Sequence, residues 1–447
     1  MKNLKRILLL VVVILAVAIY FNYPKLNILA GYSAKNTASS VFLAERSLAF
    51  TDENDNNFSP INLTSDAVNK EEKSATGSAF GLLKRKAIYR EGLGAVLIND
   101  NYDASKKILV PKRSKPDNST PFPYGNADQK DTLFSNIDYK KLNETIDTIF
   151  NDVNQTRSVL VIYKDQIIAE KYSDGFDKNS KQLGWSMTKS IVAALYGILE
   201  HQGKIDMSYR PFKELDLTGL LGKDPREFIP LNDFLRMSSG LEWDEDYASI
   251  SDVNKMLFME ADMTKSQINT HYNSNNPKVW NYSSGTTNFL SGVLRKQFKT
   301  YQDYLDFPYS ELIDKIGMHS MLIETDMAGN FVGSSYGWAS TRDWAKFGLL
   351  HLNRGNWNGE QLFDPKWIDY ITKPTEGSKE GYGAHWWLNA GGKYPDVPRD
   401  MYSANGFLGQ RVFIIPSKDL VIVRTGLAKD PDFDINGFLS DVVAAIN

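Results

Sequence analysis

The chain has 447 residues, 42% of them hydrophobic and 23% charged, the composition of a folded water-soluble protein; this excludes a disordered chain or a polytopic membrane protein. Lys and Arg total 51 against 54 Asp and Glu, a formal charge of -3, so there is no broad positive field to draw in nucleic acid. With no cysteine, disulfides, thiolate metal sites, a Cys nucleophile and lipid attachment through an N-terminal Cys are excluded.

The N-terminus carries Lys2, Lys5 and Arg6, then an uninterrupted apolar run from Ile7 to Phe21, with Pro24 beyond. A basic flank before a charge-free run is the pattern of an export signal or membrane anchor, its basic end remaining cytoplasmic. The run is short for a spanning helix, and Ala16-Val17-Ala18 offers a passable cleavage site, so anchor and cleaved signal both stand, with a buried helix of the fold as the third reading. From Thr51 to Lys73 the chain is crowded with Asp, Asn, Ser and Glu and reads as a surface loop or spacer. Ala87–Arg90 and Ala95–Ile98 alternate as short strands, and Asn99–Gln129 is again loop-like.

A helical pattern from Ile137 (Leu142, Ile146, Ile149, Phe150) leads to Ser158–Tyr163, a turn at Lys164-Asp165-Gln166 and a strand Ile167–Tyr172, a hairpin. A second hairpin, Arg411–Ile415 and Leu420–Thr425, lies near the end, before a helix over Ile435–Ile446. Two hairpins so far apart in sequence imply one antiparallel sheet closed late, and the mainly helical Ser186–Thr372 stretch would form an inserted lobe. The expected architecture is mixed α/β (α+β): an antiparallel sheet flanked by helices plus an inserted helical lobe, with a substrate cleft between the lobes. The expected organisation is a signal or anchor at 1–26, an extension at 27–135 and a catalytic domain at 136–447.

Three constellations carry chemistry. Ser186 opens a strongly apolar helix and Lys189 lies three residues on, so both side chains project from one face. An alcohol needs a base before it attacks, and a lysine serves only where burial or neighbouring cations disfavour its charge. The backbone N–H of Ser186 is one natural oxyanion donor. The same two residues would equally make an N-cap serine and a solvated lysine. In Trp280-Asn281-Tyr282-Ser283-Ser284-Gly285, Tyr282 could share the proton with Lys189 and pass it to the leaving group, and Ser284 could hydrogen-bond Lys189 or the substrate; a capped helix with a packed tyrosine is the alternative. In Ser403-Ala404-Asn405-Gly406-Phe407, Gly406 would let substrate backbone lie against a strand edge beside Asn405, and the Phe407 N–H would be the second oxyanion donor; an ordinary loop into a strand fits as well.

Ser-x-x-Lys, Tyr-x-Ser and x-x-Gly on a late strand, in this order, resemble the serine β-lactamase and penicillin-binding-protein superfamily over roughly Ile137–Asn447. Met237–Trp243, Gly333–Trp338, Arg342–Gly348 and Tyr382–Trp387 are similar to its branch of class C enzymes, esterases and 6-aminohexanoate-dimer hydrolases. The resemblance implies an acyl-enzyme on Ser186, Lys189 and Tyr282 as the proton-handling pair, and Tyr247 with His385, Trp386 and Trp387 lining the substrate pocket; simple packing of these aromatics is the alternative. Two departures matter: Ser284 stands where class C β-lactamases carry Asn, and Ala404 where the third motif usually begins with Lys or His. Without that cation, a charge-assisted bond to a substrate carboxylate is missing. A linear amide or an ester is therefore expected over a β-lactam.

The expected function is an exported serine hydrolase acting on a small-molecule amide or ester, needing neither cofactor nor metal, touching the membrane only through its N-terminus and binding no nucleic acid. The alternatives are a β-lactamase, a D-alanyl-D-alanine carboxypeptidase, or a non-catalytic exported binding or sensor protein using the same cleft. No His-Glu-x-x-His supports a zinc peptidase.

Overall fold

The computed structural model describes residues 2–129, 132–214, 224–428 and 431–446. The chain forms two compact units, Met1–Lys106 with Asp244–Met263 and Asp326–Gly329, and Lys107–Trp243 with Thr264–Thr325 and Asn330–Asn447. The two short returns to the first unit carry no compositional mark that a linear reading could follow.

In the first unit, helix α1 (Lys2–Phe42) is continuous through Pro24, past the expected end of the N-terminal segment. Its residues from Leu4 to Tyr23 are exposed, while Ile28 to Ala38 are largely buried. The buried half lies on a four-stranded antiparallel sheet, β1 (Thr64–Asn69), β2 (Ser74–Ala79), β3 (Leu83–Arg90) and β4 (Gly94–Ile98), paired in that order. Small residues make this contact: Ala34 and Ala38 pack with Ala75, Ala87 and Ala95. A Cβ on Gly77 would come within 2.5 Å of the Ala30 carbonyl, so helix and strand backbones meet directly. The Thr51–Lys73 stretch, expected as loop or spacer, carries short helical turns and β1, an edge strand of alternating half-buried and exposed residues. Its polar residues are satisfied locally: Asn56 Nδ2 donates to Thr37 Oγ1 on α1 and to Asp66 on β1, each at 3.0 Å.

In the second unit, a six-stranded antiparallel sheet has the order β12-β13-β14-β15-β5-β6. Here β5 is Thr156–Tyr163, β6 Gln166–Tyr172, β12 Trp387–Leu388, β13 Tyr402–Gly406, β14 Gln410–Ile415 and β15 Leu420–Gly426. The two expected hairpins are present, and β15 pairs with β5 from Leu420↔Tyr163 to Gly426↔Thr156, closing the sheet late in the chain. Val159, Val161, Phe413 and Ile422 pack with Leu142 and Ile146 of one helix and Phe438, Leu439 and Val442 of the C-terminal one. On the other face the Thr341–Leu352 helix approaches so closely that a Cβ on Gly348 would lie 2.6 Å from Val421. Covering both faces explains why these strands are apolar runs rather than alternating ones. Each fully buried Val, Ile or Leu contributes roughly 1.5–3 kcal/mol. A three-stranded sheet, β7 (Lys181–Leu183), β9 (Gly337–Ser340) and β8 (Leu322–Ile323), and a small hairpin β10–β11 (Asn356–Trp357, Glu360–Gln361) complete the strands of this unit among the described residues. The fold is mixed α/β, with antiparallel sheets and helices at Thr188–His201, Ser284–Lys296 and Tyr301–Pro308.

Candidate active site

Ser186 sits in a tight turn, Trp185–Met187, running directly into the Thr188–His201 helix. The turn is pinned at both ends. Gly184 N–H donates to the Gly337 carbonyl at 2.8 Å, and Thr188 Oγ1 donates to the Trp185 carbonyl at 2.7 Å while accepting from Gly337 N–H at 2.9 Å. Trp185 has φ +47°, the left-handed region a bulky residue seldom occupies, so the backbone just before Ser186 is strained.

Lys189, one helical turn on, is 1% exposed. Its Nζ donates to Ser186 Oγ at 2.9 Å, to Ser284 Oγ at 2.8 Å and to the Ser334 carbonyl at 2.9 Å. Ser284 begins the Ser284–Lys296 helix, capped by Ser283 through the Thr286 N–H. On the same helix Asn288 Oδ1 accepts the Ser334 N–H at 3.0 Å, fixing the loop whose carbonyl faces Lys189. The ring of Tyr282, half-buried, is centred 4.9 Å from Lys189 Nζ. Residues nearly 150 positions apart thus converge on one ammonium.

The third motif arrives on β13. A Cβ on Gly406 would lie 2.1 Å from the Gly184 carbonyl, so glycine here is required by the strand's approach to the turn that carries Ser186. The packing against Gly184 gives a reason for glycine at 406 that needs no substrate. The Phe407 ring packs edge-on against Trp185 at 5.4 Å. Arg411 Nη1 donates to the Gly406 carbonyl at 2.8 Å, and since a trans peptide places its N–H opposite its carbonyl, this bond fixes the direction of the Phe407 N–H. β12 meets β13 at Ser403 and Tyr402 and ends before Ala404. Asn405 Oδ1 is buried with no hydrogen-bond partner among the described residues, and Ala404 is 1% exposed.

The expected aromatic lining is corrected in part. His385 is buried, its Nδ1–H donating to the Leu235 carbonyl at 2.7 Å and Nε2 accepting from Thr287 Oγ1 at 2.9 Å. Burial pushes its imidazole down to about 4, and the charge of Lys189 acts in the same direction. Trp386 is fully buried, stacked on Phe347 and beside His351 and Tyr402. Both are core residues. Trp387, next in sequence, is the one beside Tyr282, at 5.2 Å, and with Trp280 and Tyr382 it forms an aromatic wall. Tyr247 belongs to the first unit, where its carbonyl accepts from Asn254 Nδ2 at 3.1 Å. The Ser334 carbonyl, Asn288, Arg411 and Trp280 carried no assigned role in the sequence reading. Ser334 lies in a segment that carried the family resemblance, but a backbone acceptor leaves no residue-type signal.

A 6-aminohexanoate-dimer hydrolase of Paenarthrobacter ureafaciens is 22% identical over 304 residues, 62% of this chain and 74% of that protein. Among solved structures, a Bacillus anthracis protein provisionally assigned as a 6-aminohexanoate-dimer hydrolase superposes with a TM-score of 0.56 at 20% identity, covering 68% of this chain and 81% of its own. A family VIII carboxylesterase gives 0.54 at 15% identity, over 69% and 96%. The profile of the Beta-lactamase family matches residues 150–434, well over half of the sequence, and the chain belongs to that family.

Proposed function

We propose that the protein is a membrane-anchored serine hydrolase, exported from the cytoplasm, that cleaves a linear amide or ester through an acyl-Ser186 intermediate. The observation that carries this reading is a buried lysine nitrogen, 1% exposed, held 2.9 Å from the Ser186 hydroxyl, within reach of its proton. In this mechanism Lys189 takes the hydroxyl proton as Oγ attacks the acyl carbon. The N–H groups of Ser186 and Phe407 receive the oxyanion, and Lys189 with Tyr282 returns the proton to the departing amine or alkoxide. Water then attacks the acyl-enzyme by the reverse proton path.

Substrate class follows from what surrounds the serine. Ala404 supplies no cation for a carboxylate, and the half-buried rings of Trp280 and Trp387 beside Tyr282 suit an apolar chain. The kinship with a hydrolase of a linear amide points the same way. A fluorophosphonate probe should label the wild type and leave Ser186→Ala unlabelled; equal labelling of both removes the assignment. In a hydrolysis panel of short linear amides, p-nitrophenyl esters and nitrocefin, a strong preference for nitrocefin would overturn the substrate class.

The anchor reading is supported by the length of exposed helix. The charge-free apolar run Ile7 to Phe21 is exposed along its whole length and at 1.5 Å per residue measures about 23 Å, most of the thickness of a bilayer core. The same helix continues without a break into the core of the first unit, so the anchor and the fold share one element.

A further inference from the structure

We propose that the first unit has a second membrane contact: the β2–β3 hairpin tip Phe80-Gly81-Leu82, with Leu63 beside it, inserts into the headgroup and acyl boundary of the leaflet from which α1 emerges. This rests on the anchor reading of α1.

The direction of the strands carries the inference. Arg85 Nη1 donates to Asn27 Oδ1 at 3.0 Å, Ala87 packs with Ala34 and Ala38, and Tyr89 meets the Phe42 ring at 6.1 Å. β3 and α1 therefore run side by side in the same direction. Stepping back from Arg85 to Leu82 covers about 10 Å of strand, and the same distance on the helix is about seven residues, from Asn27 to Tyr20. The hairpin tip thus lies level with Tyr20, Phe21 and Tyr23, where the apolar run ends and where aromatic residues favour a membrane interface.

What the tip displays matches that depth. Phe80 is 56% exposed and Leu82 75%, and Leu63, just before β1, is 54% exposed. Thr64 pairs with Ala79, which puts Leu63 at the same end of the sheet. Lys25 and Lys84 are exposed at this end, and the segments 20–27, 61–64 and 80–86 contain no acidic residue. Apolar tips behind a collar of lysines are what an anionic bilayer surface attracts. The opposite end of the same sheet, the turn from Asn69 to Ser74, carries Glu71 and Glu72 and no large apolar residue.

The cysteine-free sequence allows the test in the full chain. Single-cysteine variants Leu9→Cys, Leu82→Cys and Glu71→Cys are labelled with an environment-sensitive fluorophore and reconstituted into phosphatidylcholine–phosphatidylglycerol vesicles containing lipids doxyl-labelled near the headgroup or deep in the chain. The Leu82 label should be quenched by the shallow probe about five-fold more than the Glu71 label, and the Leu9 label by the deep probe. Phe80→Ser in the Leu82→Cys background should reduce that shallow quenching. If Leu9 is quenched while Leu82 behaves as Glu71 does, the hairpin contact is wrong and the anchor stands. If Leu9 is not quenched, the anchor reading falls and the hairpin contact with it.

Discussion

Around Lys189 an ammonium is enclosed by three neutral oxygens; around Asp66 a carboxylate gathers Ser33 Oγ and Asn56 Nδ2, with Asp52 close by. The donors to Asp66 come from α1 and from the turn before β1, and the cluster joins helix to edge strand. The oxygens on Lys189 also come from three separate segments, but one of them is the hydroxyl that stands at a strained turn and is partly open to solvent. Convergent polar contacts thus serve two ends, in a half-buried network and in a fully buried one: where every partner is structural the network only holds, and where one partner is a reachable hydroxyl it could also move a proton.

The largest effect should come from separating these roles. Lys189→Met keeps the side chain's bulk and removes the amine, so kcat/KM is expected to fall about 10³-fold or more, over 4 kcal/mol of transition-state stabilisation. The unfolding midpoint should change little, because a buried charge is replaced by an apolar side chain of similar size. Ser33→Ala in the other network should do the reverse, lowering the midpoint and sparing turnover. Turnover measured beside urea denaturation checks both, and a Lys189→Met enzyme of normal activity would break the contrast.

The second unit should also be sensitive to acid. His385 and His351 are buried, and desolvation pushes each down to about 4 from an ordinary 6.5. Between those values the unfolded chain binds protons that the folded chain does not, so stability is full above pH 6.5 and is lost as pH falls towards 4. Each histidine accounts for up to about 3 kcal/mol. Denaturation midpoints from pH 7 to 4.5 should fall steeply, and less steeply in His351→Leu; an unchanged slope would count against the assignment. Gly406→Ala should follow with about 1–3 kcal/mol lost to overpacking against the Gly184 carbonyl, 2.1 Å from the new Cβ, and turnover should drop at least tenfold because the Ser186 turn must shift.

Legibility in the sequence tracked the kind of contact each element makes. The β5–β6 and β14–β15 hairpins were visible because burial on both faces writes apolar runs bounded by turn residues. Ser186, Lys189 and Tyr282 were singled out because the proposed chemistry needs those residue types at those spacings, and the fold brings the three together. β1 and β2 were not: Thr64–Asn69 is a polar edge strand, and Ser74–Ala79 is built of small residues so that α1 can approach, and both look like loop in composition. Trp386 and Trp387 could not be told apart in the sequence, since near a chain reversal at His385, φ +59°, periodicity no longer says which side chain faces inward.

The smallest effect concerns the first unit alone and tests whether its carboxylates are purely structural. Burial and the nearby charge of Asp66 push Asp52 up to about 6 from 3.8. Between pH 4 and 6 the folded chain therefore holds a proton that the unfolded chain has released. Stability declines as pH rises through that window and stays at the lower level above it. The full shift would correspond to about 3 kcal/mol, but Asp52 is largely exposed and solvent screening reduces this to about 1 kcal/mol. Asp52→Asn removes the charge and leaves an amide able to donate to Asp66, so it should raise the unfolding midpoint at pH 7.5 and have little effect at pH 3.5. Because Ser186 lies in the other unit, turnover should be the same in both proteins; a change in turnover would mean the two networks are coupled, and the contrast between holding and reacting would fail.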